Sequence, residues 1–302
     1  MATTICVFAF SSPFLVCYGC RRRRSMPIAP LHLDDDGLVC NDVGGWAEEK
    51  YRLVSSYCTQ FSTGMKKAWR HRAFIDLYAG AGYSKLRTNG KIVKGSPLLA
   101  LSVKDPFDQY IFCEEVSSNF EALSTRVARD YPSQNVKLIE GDCNEKIDAI
   151  IDSLPRRDSV GLCFVDPFNL SIRFETLAKL AERRLDLLCL LALHMDANRA
   201  YDIYITQESS KVDRFVGSDT WKTEFANSGM SRKDFPKFLA DYFAKRMQTL
   251  GFEETPTHTM HLVRTDDTNV PKYHLALFSR SPLAYKFWDQ ARTYSTDQRK
   301  LW

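Results

Sequence analysis

From residue 73 onward the chain alternates short apolar runs with amphipathic stretches. Ala73-Phe74-Ile75-Asp76-Leu77-Tyr78 has the composition of a buried strand, and similar runs follow at 109–113, 136–139, 160–165 and 185–193. Between them, apolar positions recur at helical spacing over 120–129, 145–154 and 174–183. Such alternation implies βαβ units and a parallel sheet. Two later strands, near 258–264 and 273–279, flank the polar stretch Asp266-Asp267-Thr268-Asn269. They predict a hairpin, hence an antiparallel pair at one sheet edge. Ser281-Pro282 then opens a last helix through Phe287 and Trp288. Ahead of the first strand, Trp46, Tyr51, Leu53, Val54, Tyr57, Phe61, Met65 and Trp69 predict one amphipathic helix or a pair. Residues 27–45 read as a loose polar lead-in, and 211–250 as a helical, aromatic-rich insertion. The pattern predicts one α/β domain over 37–302 behind an extension, 1–36, that is disordered or an artefact of start-site choice, with Met26 as the alternative start.

Composition changes this picture little. A 44% hydrophobic and 26% charged chain has ample material for a core. Charge matters more. Arg21–Arg24 carry the whole excess: without them the 41 basic residues become 37, equal to the 37 acidic ones. A neutral body lacks the basic stripe of a duplex-binding protein. The first 20 residues are apolar but precede their arginines, the reverse of a signal peptide, and Ser11, Ser12 and Pro13 interrupt them. A cytoplasmic chain without stable membrane association is therefore expected. Of nine cysteines, Cys113, Cys163 and Cys189 lie in strand-like runs, which favours buried free thiols. Cys17-Tyr18-Gly19-Cys20 has no second pair nearby, and no metal site is expected.

The polar residues that interrupt this scaffold cluster at strand ends. Asp76-Leu77-Tyr78-Ala79-Gly80-Ala81-Gly82 closes the first strand of the series. In an open parallel sheet the ligand crevice lies at the carboxyl ends of the strands, and glycine lets the backbone come close to a ligand. A nicotinamide fingerprint needs a third glycine where Lys85 stands, and Asp76 would repel a pyrophosphate. A sulfonium ligand with a protonated amino group would instead favour that carboxylate. Glu114, ending the next strand, can accept from both ribose hydroxyls. Gly141-Asp142-Cys143-Asn144 offers Asp142 to an adenine amino edge, or to a helix as its N-cap, and the roles can coexist. After the fourth strand of the series, Asp166-Pro167-Phe168-Asn169 sets a carboxylate beside a carbonyl fixed by proline. Together they can hold an acceptor NH2 with its lone pair free, and Phe168 can stack on a flat acceptor. A plain strand-ending turn is the other reading of Asp166-Pro167.

In this order the motifs resemble the three-Cys-motif partner proteins (TcmP), which are similar to class I S-adenosylmethionine-dependent methyltransferases. The resemblance spans roughly residues 37–290. It also takes in Gly45-Trp46-Ala47-Glu48-Glu49-Lys50, Met65-Lys66 with Trp69, and Gly95-Ser96-Pro97-Leu98-Leu99-Ala100-Leu101. Met195-Asp196 with Arg199, and Asp213-Arg214-Phe215-Val216-Gly217 with Trp221, extend it. It departs at Ala81, where the family usually has proline, and at Asn169, where it usually has glycine.

The resemblance implies a Rossmann-like methyltransferase sheet with helical additions and S-adenosylmethionine as cofactor. Asp76, Tyr78, Ala79, Gly80, Gly82, Glu114, Asp142, Cys143 and Asn144 would line the cofactor site, and Asp166, Pro167 and Phe168 the catalytic turn. The resemblance supplies no acceptor; the leading expectation is methyl transfer to a nitrogen, with nucleic acid ahead of protein or small molecule. The alternative is a non-catalytic accessory subunit of a three-cysteine-motif protein. The Asp-Pro-Phe turn is also similar to that of tRNA guanine-N2 dimethyltransferases. One local feature stands apart. Residues 83–94, with Asn89-Gly90 at the tip, predict a hairpin directly after the glycines. Its Lys85, Arg87, Lys91 and Lys94 read as a solvated loop or as a clamp for a polyanionic substrate, with Arg199 as a further substrate contact.

Overall fold

The structure, a computed structural model, describes residues 33–265 and 268–299. Cys17-Tyr18-Gly19-Cys20 and Asp266-Asp267 lie outside the described residues. The chain lays down β1 (Asn41–Val43), α1 (Ala47–Met65), β2 (His71–Asp76), the pair β3 (Tyr83–Leu86) and β4 (Ile92–Lys94), and α2 (Ser96–Leu101). Alternation continues through β5 (Gln109–Glu114), α3 (Ser117–Asp130), β6 (Val136–Glu140), α4 (Cys143–Asp152), β7 (Ser159–Val165), α5 (Phe174–Ala181) and β8 (Leu185–Leu191). Helices α6 (Tyr201–Thr206), α7 (Lys211–Val216), α8 (Trp221–Asn227) and α9 (Phe235–Gln248) precede β9 (His261–Arg264), β10 (Pro271–Phe278) and α10 (Pro282–Arg299).

Seven strands form one sheet in the order β6-β5-β2-β7-β8-β10-β9. The first five of that row are parallel, while β10 runs antiparallel to both β8 and β9. This is a Rossmann-like, mostly parallel sheet with an antiparallel pair at one edge. Its central strands read as unbroken apolar runs because helices cover the sheet and water reaches few of their side chains. Strand order reverses beside β2, with β5 and β6 on one flank and β7 and β8 on the other. That switch point is where an open α/β sheet leaves a crevice, between the carboxyl ends of β2 and β7.

Cys58, Cys113, Cys143, Cys163 and Cys189 are free and buried, as small apolar side chains. Among the described residues no helix is long and apolar enough to cross a membrane.

The stretch from Trp46 to Trp69 holds a single helix, α1, the first of the two arrangements its spacing allows. Two expectations need correction. Helical additions begin well before residue 211, with a π-helical turn over Leu193–Ala197 and then α6. The lead-in is not loose from Leu33 onward. Leu33 N–H donates to Ile92 O, and β1 pairs in parallel with β3, making a second, three-stranded sheet with β4.

Arg126 of α3, with no exposed surface, explains the order of this segment. Its guanidinium grips both Asp36 carboxylate oxygens (2.6 and 2.9 Å) and the carbonyls of Val39 (2.8 Å) and Ala81 (2.6 Å). It also stacks over the Tyr83 ring at 4.1 Å. Hydrogen bonding from Arg126 holds the Asp36 carboxyl down at about 2. One buried cation thus joins the lead-in to the glycine loop. Asp36→Ala should cost roughly 3 kcal/mol, the lower end for breaking a buried pair, because three carbonyls still serve the guanidinium. Urea unfolding checks this, with Arg129→Ala as the exposed control. A loss below about 1 kcal/mol for Asp36→Ala would show the clamp to be dispensable.

Candidate functional site

Asp76 ends β2 at the switch point and is fully buried. Its Oδ1 accepts from Tyr78 N–H (3.2 Å), the Ser96 side chain stands beside the carboxylate, and Oδ2 is buried with no partner. Burial pushes the carboxyl up to about 7, assisted by the charge of Asp166 and opposed by Ser96 and Lys50. A buried carboxylate oxygen without a donor is costly, and a cationic ligand would satisfy it.

The loop after Asp76 is shaped for close approach at one glycine. Gly80 has φ +64°, and a Cβ built there meets nothing within 4 Å, so that side of the loop is open. Gly82 (φ +86°) differs: its Cβ would press on Leu98 and Leu123 at 3.1–3.3 Å. Gly82 therefore faces the core, and only Gly80 clears space for a ligand. The hairpin β3–β4 leaves the loop and returns to it, since Gly95 N–H donates to Gly82 O at 2.7 Å. That return delivers Ser96 to Asp76.

Glu114, at the end of β5, accepts from Gly80 N–H (2.7 Å) through Oε2 and from Val116 N–H (2.9 Å) through Oε1. Oε1 also accepts from Asn119 Nδ2 at 3.4 Å, so Oε2 is the oxygen that retains a second lone pair for a hydroxyl donor. Asp142 caps α4, its Oδ1 taking Asn144 N–H (2.9 Å), so the capping role is present. Asn144 ties loops together: its Oδ1 accepts from Arg173 N–H and Thr176, and its Nδ2 donates to Ser171 O. Ala79 is buried, its N–H on Cys113 O, and Cys143 is buried beneath Tyr78, whose hydroxyl meets Ser171. These four residues shape the loops, while Asp76, Gly80, Glu114 and Asp142 offer polar atoms or space.

Across the switch point, Asp166 follows β7 and makes an ion pair with Lys50 of α1 (Nζ to Oδ2, 2.5 Å), the two side chains only 14% and 11% exposed. Burial raises the Asp166 carboxyl and Lys50 lowers it, with the net upward; at Lys50, burial pulls down and Asp166 lifts, the net again upward. One shift favours a neutral acid, the other an ammonium. The short contact decides for the charged pair, since an ammonium facing a carboxylate has no route to lose its proton cheaply. Pro167 is buried and Phe168 is 82% exposed on the crest of the turn. Asp196 holds the turn from behind, accepting Leu170 N–H (3.0 Å) and the Tyr204 hydroxyl (2.8 Å). Asn169, one of the departures from the TcmP pattern, buries its Oδ1 without a partner.

The basic hairpin is only partly a clamp. Lys94 turns inward to Ser102 (2.8 Å) and Tyr131 (3.0 Å), and Arg87 bonds to Asp42 O (3.2 Å). Lys85, Lys91 and Arg199 are exposed. Lys50, Ser96 and Tyr273 were not singled out in sequence as site residues. Lys50 and Ser96 lie in matching stretches of the TcmP resemblance, the one signal that pointed at them. A cavity of about 460 Å³ lies at the amino ends of β2 and β5, lined by Arg72, Asp108 and Gln109. That is the opposite end of the sheet from these groups, and Arg72 there is already paired with Asp108. The crevice at the carboxyl ends is the stronger site because unpaired polar atoms converge there. Among the described residues no cluster suited to a metal ion occurs.

No protein-family model matches the chain, and no curated protein matches it in sequence. Among solved structures it is similar to a protein from Legionella pneumophila, at 12% identity over 82% of this chain and 91% of that one, TM-score 0.47. It is also similar to a protein described as an O-methyltransferase from Klebsiella pneumoniae (12% identity; 81% and 84% covered; TM-score 0.42). A third is the cofactor-bound protein Rv0187 from MTB (9% identity; 77% and 80% covered; TM-score 0.41). At such identities and scores these likenesses carry no chemistry. The fold assignment rests on the strand order itself.

Asp76 generates a stability prediction. In the folded chain its carboxyl keeps a proton up to about pH 7, whereas in the unfolded chain it ionises near its ordinary value. Between those limits the folded state binds the extra proton, so this group's contribution is full at low pH and is lost as pH rises towards 7. Asp76→Asn should remove that loss and raise stability at pH 8 by on the order of 2–4 kcal/mol. Thermal melts of both proteins from pH 5 to 8 test it: a gap that does not widen with pH would contradict the assignment.

Proposed function

We propose that this chain is an S-adenosylmethionine-dependent methyltransferase of the TcmP kind that methylates a nitrogen, with nucleic acid the favoured acceptor. The observation carrying the reading is the buried, partnerless Oδ2 of Asp76 beside the open face of Gly80. The residues present fit the cofactor. Asp76 would hold its ammonium, Gly80 would let the chain lie close, Glu114 would take the ribose hydroxyls and Asp142 the adenine amino group. When bound, the cofactor supplies a methyl group activated on a sulfonium.

The rest is done by this chain. Asp166 and the carbonyl ahead of Phe168 accept hydrogens from an amine and so aim its lone pair into the crevice. Acceptors fixed in advance stabilise the positive charge that grows on the attacking nitrogen. Phe168, held out by the Asp196 bond to Leu170, gives a flat acceptor a face on which to stack. A cytoplasmic location and a three-cysteine-motif protein as partner belong to the same proposal. The accessory-subunit reading differs in one respect, namely cofactor binding without transfer.

At a hundred times its dissociation constant, S-adenosylhomocysteine should stabilise the protein by ~2.7 kcal/mol, visible as a raised Tm, while NAD should not. Gly80→Val should abolish the shift. Asp166→Ala, made with Lys50→Met so that no buried ammonium is stranded, should keep cofactor affinity within a few-fold. It should lose about 10²–10³-fold in transfer of labelled methyl to total cellular RNA. A flat melt with S-adenosylhomocysteine defeats the whole reading. Binding without transfer to RNA, by the unmodified protein, favours the accessory subunit.

A further inference from the structure

Near Asp166, a further buried group lacks a partner. Tyr273 of β10 is 2% exposed, and its hydroxyl makes no hydrogen bond. It lies within electrostatic range of Lys50, Asp166, Tyr51 and Glu49, on the side of β10 that faces α1. His274, the next residue, points the other way, stacking 5.6 Å from His194.

The neighbours of Tyr273 are already engaged. The Tyr51 hydroxyl bonds to Ser84 at 2.8 Å, and Glu49 meets His261 at 2.9 Å. Lys50 has given one N–H to Asp166 and, as an ammonium, has two more to offer. Burying a hydroxyl unpaired costs free energy that folding alone does not recover. A ligand that accepts from the hydroxyl would recover it.

We infer that Tyr273 and Lys50 complete the methyl-acceptor site, reading the ring nitrogen beside an exocyclic amine while Asp166 holds the amine itself. This rests on the methyltransferase reading of the crevice. The chemistry defines the acceptor edge. Asp166 accepts, so the atom facing it must carry hydrogen. Tyr273 and Lys50 both donate, so the adjacent atom must be a lone-pair acceptor. An amino group next to an unprotonated ring nitrogen is the Watson–Crick edge of adenine or cytosine; guanine offers one only on its N3 side, next to the sugar. Uracil presents a ring N–H between carbonyls and lacks the amine. Phe168 stands exposed at the crest of the same turn, where a planar base would stack.

The test uses the full chain saturated with S-adenosylhomocysteine, so that the cofactor crevice is closed to nucleosides. Calorimetry first measures that loading. Adenosine, cytidine and uridine are then compared at millimolar concentration by saturation-transfer NMR. Adenosine and cytidine are expected to give signals, with uridine at least threefold weaker. Tyr273→Phe should cut the adenosine and cytidine signals several-fold and leave S-adenosylhomocysteine affinity unchanged. Lys50→Arg, which keeps the charge on Asp166, should weaken them less than Tyr273→Phe does. Equal signals from uridine, no signal from any nucleoside, or an indifferent Tyr273→Phe each overturns the inference while leaving the cofactor reading intact. Failure of S-adenosylhomocysteine to bind overturns the cofactor reading, and this inference with it.

Discussion

The contact between Lys50 and Asp166 governs how the site is assembled. Apolar packing of Leu53, Val54, Tyr57, Cys58 and Phe61 seats α1 on the core. The ion pair fixes its first turn beside Asp166 at the end of β7. It is short and nearly enclosed, so each charge would be expensive without the other. Through it α1 becomes one wall of the crevice. Asp186 of β8 reinforces the placement further down, taking hydrogen bonds from Tyr57 of α1 and from Ser279. Side-chain register along α1 is then set from two points, and Tyr51 and Glu49 are carried to fixed places on Ser84 and His261.

Lys50 neutralises Asp166 and leaves Asp76 without a cation. Burial makes a charge on Asp76 costly in the empty protein. On the proposed reading, the ammonium of the cofactor meets that need. The glycine loop limits the shape of what can enter. Its open side is Gly80, and its closed side, Gly82, is spent on packing against Leu98 and Leu123.

What could be read in the sequence were the features whose cause is local. An unbroken buried run gives way to an acid where the strand reaches the crevice, so Asp76, Glu114 and Asp166 could be found one at a time. The edge hairpin and the Asn89-Gly90 turn are local too, and both form. Less legible were residues whose meaning depends on a distant partner. Lys50 in the first turn of an amphipathic helix looks like an ordinary solvated lysine until residue 166 is placed beside it. Arg126 likewise sits in a run, Ser124-Thr125-Arg126, that suggests an exposed helix face. Its burial is caused by the acid and carbonyls of a lead-in that composition alone marked as loose. Tyr273 carries no signal at all, since an aromatic residue in a strand is ordinary core. For Gly82 the sequence argument had the right residue and the wrong neighbour, because backbone φ decides which way an absent Cβ would have pointed.

The Arg126 clamp has a consequence for the order in which the molecule can come together. Asp36 leaves the ribosome long before its partner, which lies 90 residues later, and Lys50 waits for a partner 116 residues away. Glu49 must wait for His261, 212 residues on. Contacts so distant in sequence are slow to form, because the loop they close must first give up its freedom. The pairs β2–β5, β5–β6 and β7–β8 join nearer neighbours, but β2 meets β7 across a stretch nearly as long as the one between Asp36 and Arg126. The two halves of the sheet and the crevice between them therefore close together, late in folding.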